Sequence, residues 1–541
     1  MRKAQAMRWS KSAVALSFCC GGLLIHPQKG LAGEEPAAHP NILLILADDL
    51  GYGDVSCYNA DARVSTPHLD RLATQGMRFM DAHSPSTVCT PSRYSLLTGR
   101  MCFRTGYRGV FSGVGGPALI ESNRLTLPQM LRNNGYQTAC IGKWHLGLTF
   151  QTSDGSPAYA ANVPKVQPRD WRDGGAALER VRRVDFSKPI LDGPIHRGFD
   201  QFFGTACCPT TDWLYAWIEQ DRVPVPPKQQ LSHDGLPQHA YSYDNRRGLI
   251  AADFDLETVD PHLLKKSQQF LRQHVKQRPG QPFFLFHSMQ AVHLPSFAAE
   301  QYKGRSKAGP HGDFLLEMDD IVGQLLQTLD ELNIADNTLV IFTSDNGPEV
   351  TTVVNMRKDH KHDGAAPWRG MKRDQWEGGH RVPLIVRWPK RIPAGTVSNQ
   401  LVNLTDFMAT CAAIVDAPLP EDAAEDSFNL LPALLEADAP PVRKWMLSQT
   451  ISLALAIREG QWKLLDHTGS GGNNYQRPPL DQYRLPDTAP EAPMQLYDLE
   501  SDPGETTNLY HRHPDVVQRL KSKLDELRRT GRSAPSPTVT P

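Results

Sequence analysis

The chain has 541 residues, more than a single small hydrophobic core organises, so we expect one large domain accompanied by a smaller one. Hydrophobic residues make up 40% of the sequence, which is typical of a globular protein. The formal net charge is -1, with both signs mixed along the chain and no long basic run, so no nucleic-acid partner is expected.

The first 33 residues have the pattern of a secretory signal peptide. Basic residues come first, an apolar segment extends from residue 12 to residue 25, and small residues follow near residue 32. The apolar segment is short for a transmembrane helix, although an uncleaved anchor remains the alternative. We therefore expect an exported protein that is periplasmic or extracellular, or lysosomal if the source is eukaryotic, with no integral membrane span after cleavage.

Strand-like and helix-like segments alternate in the next part of the chain, which predicts an α/β fold: a large, mostly parallel sheet flanked by helices. Continuous apolar runs predict buried strands over residues 41–47, 137–141, 282–287, 338–343 and 382–387. Caps and helical periodicity predict helices over residues 66–73, 125–134 and 313–332. Residues 150–260 are rich in Pro, Gly, Asp, Arg and Trp, and predict loops on one face of the sheet.

The pattern changes after a Pro-rich and acidic stretch between residues 418 and 441. Strand-like segments over residues 453–465 and 495–499, followed by an amphipathic helix over residues 514–529, predict a small α+β subdomain. The last residues are rich in Pro, Ser and Thr, which predicts a disordered tail. The expected organisation is a signal peptide (1–33), a catalytic domain (34–440), a C-terminal subdomain (441–532) and a tail (533–541).

Two polar pairs each follow a predicted strand: Asp48-Asp49 and Asp345-Asn346. The carboxyl ends of parallel strands meet at one edge of a sheet, so we expect the two pairs to lie together. Either pair alone is also typical of a turn or a helix cap. Together they favour one divalent cation, because hard oxygen ligands suit Ca²⁺ or Mg²⁺ better than zinc.

A basic residue and a histidine lie two positions apart in Gly-Lys-Trp-His-Leu-Gly, at Lys143 and His145. If this segment is extended, both side chains point the same way. A cation beside a proton-transfer group suits an anionic ester. Lys372, in a Gly-flanked loop, and His293, between Val292 and Pro295, are weak candidates when taken alone.

The most informative stretch is Cys89-Thr90-Pro91-Ser92-Arg93, followed by Leu97-Thr98-Gly99-Arg100. It resembles the signature of the type I sulfatases, in which the cysteine is oxidised to the aldehyde formylglycine. The hydrated aldehyde carries two hydroxyls on one carbon: one attacks sulfur, and the other loses its proton so that sulfate is expelled. The alternative is a buried cysteine in a proline-interrupted turn.

The resemblance extends over most of residues 40–390, and residues 495–509 resemble the C-terminal subdomain of the same family. It implies an alkaline phosphatase-like fold and a Ca²⁺ site, with Mg²⁺ as the alternative ion. It also implies a role for each candidate. Asp48, Asp49, Asp345, Asn346 and the modified Cys89 would bind the metal. Arg93 would hold the formylglycine hydrate, and Lys143 and Lys372 would bind sulfate. His145 would act as the base, and His293 would lie near the leaving-group oxygen.

The expected function is therefore an exported sulfatase. Its substrate would be a sulfated small molecule or glycan, with a sulfated carbohydrate favoured, and its partner a formylglycine-generating or anaerobic maturation enzyme. A phosphodiesterase or phosphonate monoester hydrolase of the same superfamily is one alternative, because it can use the same aldehyde. A non-catalytic carbohydrate-binding relative is another, but it would be expected to lack catalytic positions. The substrate itself is left open, because loops carry specificity.

Overall fold

The computed structural model describes residues 39–158, 175–242, 244–436 and 438–536. The predicted signal peptide and the end of the predicted tail lie outside these residues. Among the helices in the described ranges, none has the length and apolar character needed to cross a membrane.

A nine-stranded sheet forms the centre of the large domain. Its strands, in chain order, are β1 (Asn41–Ala47), β2 (Met77–Phe79), β3 (Gln137–Lys143), β4 (Gln201–Thr205), β5 (Ile218–Glu219), β6 (Phe283–Ser288), β7 (Thr338–Ser344), β8 (Leu384–Arg387) and β9 (Thr396–Ser398). Their order across the sheet is β9-β2-β8-β7-β1-β6-β3-β4-β5. Five adjacent strands in this order, β7-β1-β6-β3-β4, are parallel to one another. Strand β8 runs antiparallel to both of its neighbours. The predicted α/β fold with a large, mostly parallel sheet is confirmed.

Helices cover this sheet and leave its central strands buried. The helices are α1 (Pro67–Gln75), α2 (Cys89–Thr98), α3 (Leu127–Asn133), α4 (Gly175–Arg183), α5 (Val259–Gln277), α6 (Gly309–Glu331), α7 (Val350–His360), α8 (Phe407–Ile414), α9 (Leu431–Leu435) and α10 (Pro514–Thr530). Helix α6 packs against α1 and α5, and α2, α3 and α8 pack on one another. Every residue of β1 is buried, as expected for a strand covered on both faces.

The described residues between 150 and 260 contain more regular structure than their composition suggests. They include α4 and β5, and β4 pairs in parallel with β3, so this part of the chain adds strands and a helix to the loops that were expected. Strands of two to five residues are too short to show a period in the sequence. Two short strand pairings, of residues 82–83 with 402–403 and among residues 214–215, 229–230 and 249–250, escape prediction for the same reason.

The C-terminal part forms a separate antiparallel sheet of four strands. They are β10 (Trp445–Gln449), β11 (Leu455–Glu459), β12 (Trp462–Leu465) and β13 (Gln495–Asp498). Helix α10 packs across β11 and β12, and its leucines bury themselves against Ile457 and Leu464. The predicted small α+β subdomain is present, while its boundary at residue 440 stays a prediction.

Candidate active site

The two polar pairs meet at the carboxyl edge of the sheet. Strands β1 and β7 are parallel neighbours that place Ala47 opposite Ser344, so the residues after them lie side by side. The Asp49 backbone N–H donates to Asp345 Oδ1 at 3.3 Å, and Asn346 Nδ2 donates to Asp49 Oδ1 at 2.7 Å. Asp48, Asp49, Asp345 and Asn346 are all buried. Sheet register thus brings three carboxylates and one amide into a single cluster.

Three cationic side chains surround this acidic cluster. Arg93, from α2, donates through Nε to Asp345 Oδ2 at 2.8 Å. Lys143, the last residue of β3, donates through Nζ to Asp48 Oδ2. Lys372 donates through Nζ to Asp49 Oδ2 at 2.7 Å. Burial opposes the charged form of Lys143, but the negative charge of Asp48 outweighs it and raises the pKa of Lys143 well above its ordinary value.

The cluster has the properties of a site for a hard cation. Asp48 Oδ1 and Asn346 Oδ1 are buried and have no hydrogen-bond partner among the described residues. Burial and the negative charge of Asp48 raise the pKa of Asp345 well above its ordinary value. Buried oxygens that lack a donor are costly, and a bound divalent cation would satisfy them. The donor set therefore fits a divalent metal ion.

Cys89 lies at the first position of α2, rather than in a turn. Pro91 is tolerated there because the N–H groups of the first helical turn have no intrahelical acceptor. The thiol lines a cavity together with His145 and Cys208. Burial raises the pKa of Cys89, but hydrogen bonding with Cys208 and the charges of His145 and Lys143 outweigh it and hold this pKa well below its usual range.

His145 reaches the same cavity by a route that the sequence did not predict. Its φ is +60°, in the left-handed region, so the segment is not extended at this residue and the condition under which both side chains would point the same way is not met. Its Nε2 lies 2.8 Å from the Phe111 carbonyl oxygen, which can only accept, so Nε2 carries the proton. Nδ1 is buried and has no hydrogen-bond partner in the described part of the chain. This nitrogen is therefore able to accept a proton.

His293 lies beside the acidic cluster. Its Nδ1 is 2.6 Å from the Leu294 carbonyl oxygen and therefore donates to it. Its Nε2 faces Asp49 Oδ2 at 3.6 Å and Cys208 Sγ at 3.8 Å. The structure thus brings together all ten of the residues that were singled out from the sequence.

Comparison with known proteins agrees with this arrangement. A model of the sulfatase family matches residues 40–417. An N-acetylgalactosamine-6-O-sulfatase of Bacteroides thetaiotaomicron is 33% identical over 503 residues, which cover 90% of this chain and 93% of that protein. The chain belongs to the sulfatase family. A second relative, human arylsulfatase A, is 34% identical to this chain over 523 residues, which cover 92% of this chain and 89% of that protein.

The fold comparison agrees. A solved structure from a study of glycosaminoglycan metabolism by Bacteroides thetaiotaomicron has a TM-score of 0.72 and 30% identity to this sulfatase, and the match covers 91% of this chain and 100% of that one. The central sheet is the alkaline phosphatase-like architecture expected of the family. This chain is a sulfuric ester hydrolase, and its family generally uses formylglycine and a divalent cation.

A second group of potential metal ligands lies away from the cavity of this sulfatase. His83, Glu377 and His380 offer ligand atoms that lie close together. However, Glu377 already accepts from Arg381 at 2.9 Å and from Lys463 at 3.0 Å. These two cations neutralise the carboxylate, so the group is a buried ion-pair network between the large domain and β12 rather than a metal site.

The residues that form the outer wall of the cavity in this sulfatase were not predicted from the sequence. Asp212, Asp244 and Arg246 line one side of it, and Glu349 and Arg373 line another. Asp212, Asp244 and Arg246 lie in the region that was expected to be loops, where no motif marks individual positions. The abundance of Trp, Asp and Arg there was the one available signal. It predicted loops without indicating which residues face the cavity.

Proposed function

We propose that this sulfatase is an exported enzyme that hydrolyses the sulfate ester of a sulfated carbohydrate. It would use a formylglycine derived from Cys89 and one bound Ca²⁺, with Mg²⁺ as the alternative ion. The observation that carries the proposal is the position of Cys89, in a cavity shared with His145, His293 and Lys372. The acidic cluster lies beside it, and two buried oxygens of that cluster, Asp48 Oδ1 and Asn346 Oδ1, lack a hydrogen-bond donor among the described residues. The products would be the free sugar hydroxyl and inorganic sulfate.

The residues fall into metal-binding and anion-binding groups. Asp48, Asp49, Asp345 and Asn346, together with the modified residue 89, would hold the cation, which neutralises negative charge on the sulfate oxygens as a Lewis acid. Lys143 and Lys372 add two ammonium groups to the same place, each now paired with a carboxylate of the cluster. Such pre-positioned charge stabilises an anionic transition state without reorganisation.

The nucleophile and the proton transfers use the remaining residues. Formylglycine, once hydrated, supplies a hydroxyl nucleophile. Arg93 would hold it, since Arg93 Nη2 is buried and makes no hydrogen bond to any described residue. His145 accepts a proton at Nδ1, because Nε2–H is committed to the Phe111 carbonyl. His293 would donate a proton to the departing alcohol from Nε2. It would have to enter this step as the imidazolium, protonated on both nitrogens, because its Nδ1–H stays committed to the Leu294 carbonyl.

The proposed substrate class follows from the relatives and from the cavity. One relative is named as an N-acetylgalactosamine-6-O-sulfatase, and the outer wall carries charged, hydrogen-bonding side chains. A sulfated sugar offers hydroxyls to such a wall. N-acetylgalactosamine 6-sulfate is therefore the first sugar substrate to test. We also propose export by the N-terminal segment, and a formylglycine-generating or anaerobic enzyme as the maturation partner.

The test is to produce the protein in a host that contains a maturation enzyme and to compare 4-nitrophenyl sulfate with 4-nitrophenyl phosphate and a phenylphosphonate ester. We expect the sulfate to be hydrolysed fastest, the peptide that contains residue 89 to carry the mass of an aldehyde or its hydrate, and activity lost on chelation to return with Ca²⁺. Faster hydrolysis of the phosphorus esters would favour the phosphodiesterase or phosphonate hydrolase alternative. Fully active enzyme with an unmodified thiol, or with stoichiometric zinc alone, would refute the proposed chemistry.

A further inference from the structure

We propose that Asp244 and Arg246 form a sugar-recognition pair that makes this enzyme prefer sulfated sugars over sulfated aromatic compounds. This inference rests on the proposed function, since it concerns the part of the substrate that lies beyond the sulfate. Both residues line the cavity that contains Cys89. Their side chains are partly exposed, at 26% for Asp244 and 18% for Arg246, so that they can contact a ligand.

Arg246 is held rigidly in the cavity wall. Its Nη1 donates to Asp212 Oδ1 at 2.9 Å, and its guanidinium lies over the Trp213 ring, 4.4 Å from the ring centre. Asp212 is itself buried and accepts from the Cys208 backbone N–H at 3.0 Å. A side chain fixed on two sides loses little freedom on binding a ligand, so its hydrogen bonds contribute more to affinity.

Asp244 is presented by an unusual backbone conformation. Its φ is +82°, in the left-handed region, which is uncommon for residues other than glycine, although aspartate and asparagine tolerate it better than most. Such conformations persist where the surrounding structure enforces them, and they are concentrated at ligand sites. Arg246 Nη2 donates to Asp244 Oδ1 at 3.2 Å, which ties the carboxylate to the fixed guanidinium.

The pair offers chemistry that matches a sugar ring. A carboxylate accepts hydrogen bonds from sugar hydroxyls, and the adjacent guanidinium donates them. An aromatic ring cannot satisfy either group, so an aryl sulfate would leave both without the hydrogen bonds that a sugar provides. Sites built around hydrogen bonds to a hydroxyl reject analogues that lack the hydroxyl. A carboxylate next to an anionic ester also disfavours ligands that make no compensating hydrogen bond.

Glu349 and Arg373 form the other charged pair in the cavity wall, and changing them would be a less selective test of sugar recognition. Arg373 donates to both oxygens of Glu349 at 2.8 Å, but Glu349 also lies 3.5 Å from Lys372 Nζ. Changing Glu349 would therefore disturb sulfate binding as well. No described hydrogen bond or ion pair joins Asp244 or Arg246 to Lys143, Lys372 or His145, although the charge of Asp244 acts on His293 and Glu349. Asp244 is therefore less directly connected to the sulfate-binding residues than Glu349 is.

The experiment compares two substrates in each variant. Asp244→Asn tolerates the left-handed backbone and removes the charge, Asp244→Gly removes the side chain, and Asp221→Asn makes the same chemical change at a partly exposed position outside the cavity lining. The substrates are 4-nitrophenyl sulfate and the sulfated monosaccharide that the unmodified enzyme turns over fastest, starting from N-acetylgalactosamine 6-sulfate.

For Asp244→Gly, we expect kcat/KM on the sugar sulfate to fall about 10- to 100-fold, as for the loss of charged hydrogen bonds. We expect kcat/KM on 4-nitrophenyl sulfate to change by less than about threefold, and Asp244→Asn to give a smaller loss confined to the sugar. Asp221→Asn should match the unmodified enzyme on both substrates.

Equal losses on both substrates, or no loss on either, would overturn the inference. It would also be overturned if the unmodified enzyme hydrolysed 4-nitrophenyl sulfate but no sulfated monosaccharide, and in that case its sulfatase chemistry would stand. Failure to hydrolyse either sulfate after formylglycine has been detected would instead count against the proposed function.

Discussion

Two halves of the candidate site are held in different ways. On one half, Asp48 and Asp345 follow adjacent parallel strands, and sheet register alone brings them together. On the other half, Lys372 lies in a loop that a segment of the C-terminal subdomain fixes in place. Asn473 Nδ2 donates to the Lys372 carbonyl oxygen at 2.8 Å, and Tyr475 Oη donates to Asp374 Oδ2 at 2.5 Å.

The difference shows where substitutions should act. The half that contains Asp48 and Asp345 is the strand-end half of the site. Changes there remove groups that would touch the metal or the reacting atoms, so their effects should be large. Changes in the C-terminal segment leave every such group in place and alter only the position of Lys372. Their effects should be small and directed at sulfate binding.

Replacing Cys89 with Ala or Ser should abolish turnover. Ala has no heteroatom from which an aldehyde could be formed, and an unmodified Ser would be left as a stable sulfate ester. The measurement is hydrolysis of 4-nitrophenyl sulfate, with mass spectrometry of the peptide that contains residue 89. Cys140→Ala is the control, since Cys140 is buried in β3 and is absent from the cavity lining. Multiple turnovers by the Cys89→Ala enzyme would contradict the assigned nucleophile.

Asp345→Asn should weaken metal binding and lower activity together, each by more than about 100-fold. A residue that only orients a metal ligand costs up to about 100-fold when it is lost, and Asp345 would itself be a ligand. The change also removes the charge that Arg93 contacts at 2.8 Å. Metal content by elemental analysis and a Ca²⁺ titration of activity would measure both effects. Asp336→Asn is the matched control, because Asp336 is 70% exposed and pairs only with the exposed Lys390 among the described ion pairs. Normal Ca²⁺ affinity in Asp345→Asn would exclude this carboxylate from the metal site.

His145→Ala should lower kcat about 10²–10⁴-fold, the usual contribution of a general base. Release of the alcohol does not require a base at Nδ1, whereas release of sulfate does. We therefore expect about one equivalent of alcohol per enzyme to appear rapidly, followed by slow turnover. Rapid-quench assays with an aryl sulfate would detect this burst. A variant that turns over normally, or that never releases the first alcohol, would assign His145 another role.

Asn473→Ala and Tyr475→Phe should each raise KM for the sulfate ester and the inhibition constant of inorganic sulfate, by roughly 2- to 12-fold for each lost hydrogen bond. Asn473→Ala should have the larger effect, because Asn473 Nδ2 donates both to the Lys372 carbonyl oxygen and to Asp374 Oδ1, each at 2.8 Å. The value of kcat should change less, because no group that would contact the reacting atoms is removed. Asn474→Ala is the neighbouring control, since the Asn474 side chain accepts only from the Gln476 backbone N–H in the described structure. A fall in kcat with unchanged KM would contradict a positioning role.

The same comparison explains which parts of the structure could be predicted. The strand-end half follows from local signals, because an apolar run such as residues 41–47 predicts a buried strand and the next residues then lie at the sheet edge. The C-terminal contact could not be predicted, since Asn473 and Lys372 are 101 residues apart and no local pattern links them.

For other residues, the sequence predicted that they belong to the site but not the backbone conformation that brings them there. His145 reaches the cavity through a left-handed backbone conformation, which depends on its surroundings rather than on its residue type. Asp244 and Arg246 lie in a region whose composition indicated only loops. Their positions depend on Asp212 and Trp213, contacts that form when the chain folds.

The burial of α2 has a consequence for the order of events in biosynthesis. All ten residues of this helix are buried, and Cys89 is only 2% exposed. A small ester can enter the cavity, but the active site of a second enzyme cannot close around a helix enclosed by a nine-stranded domain. If residue 89 is oxidised as proposed, the maturation enzyme would have to act while the polypeptide is still nascent or unfolded. Protein that folds before it meets the maturation enzyme would keep its thiol permanently.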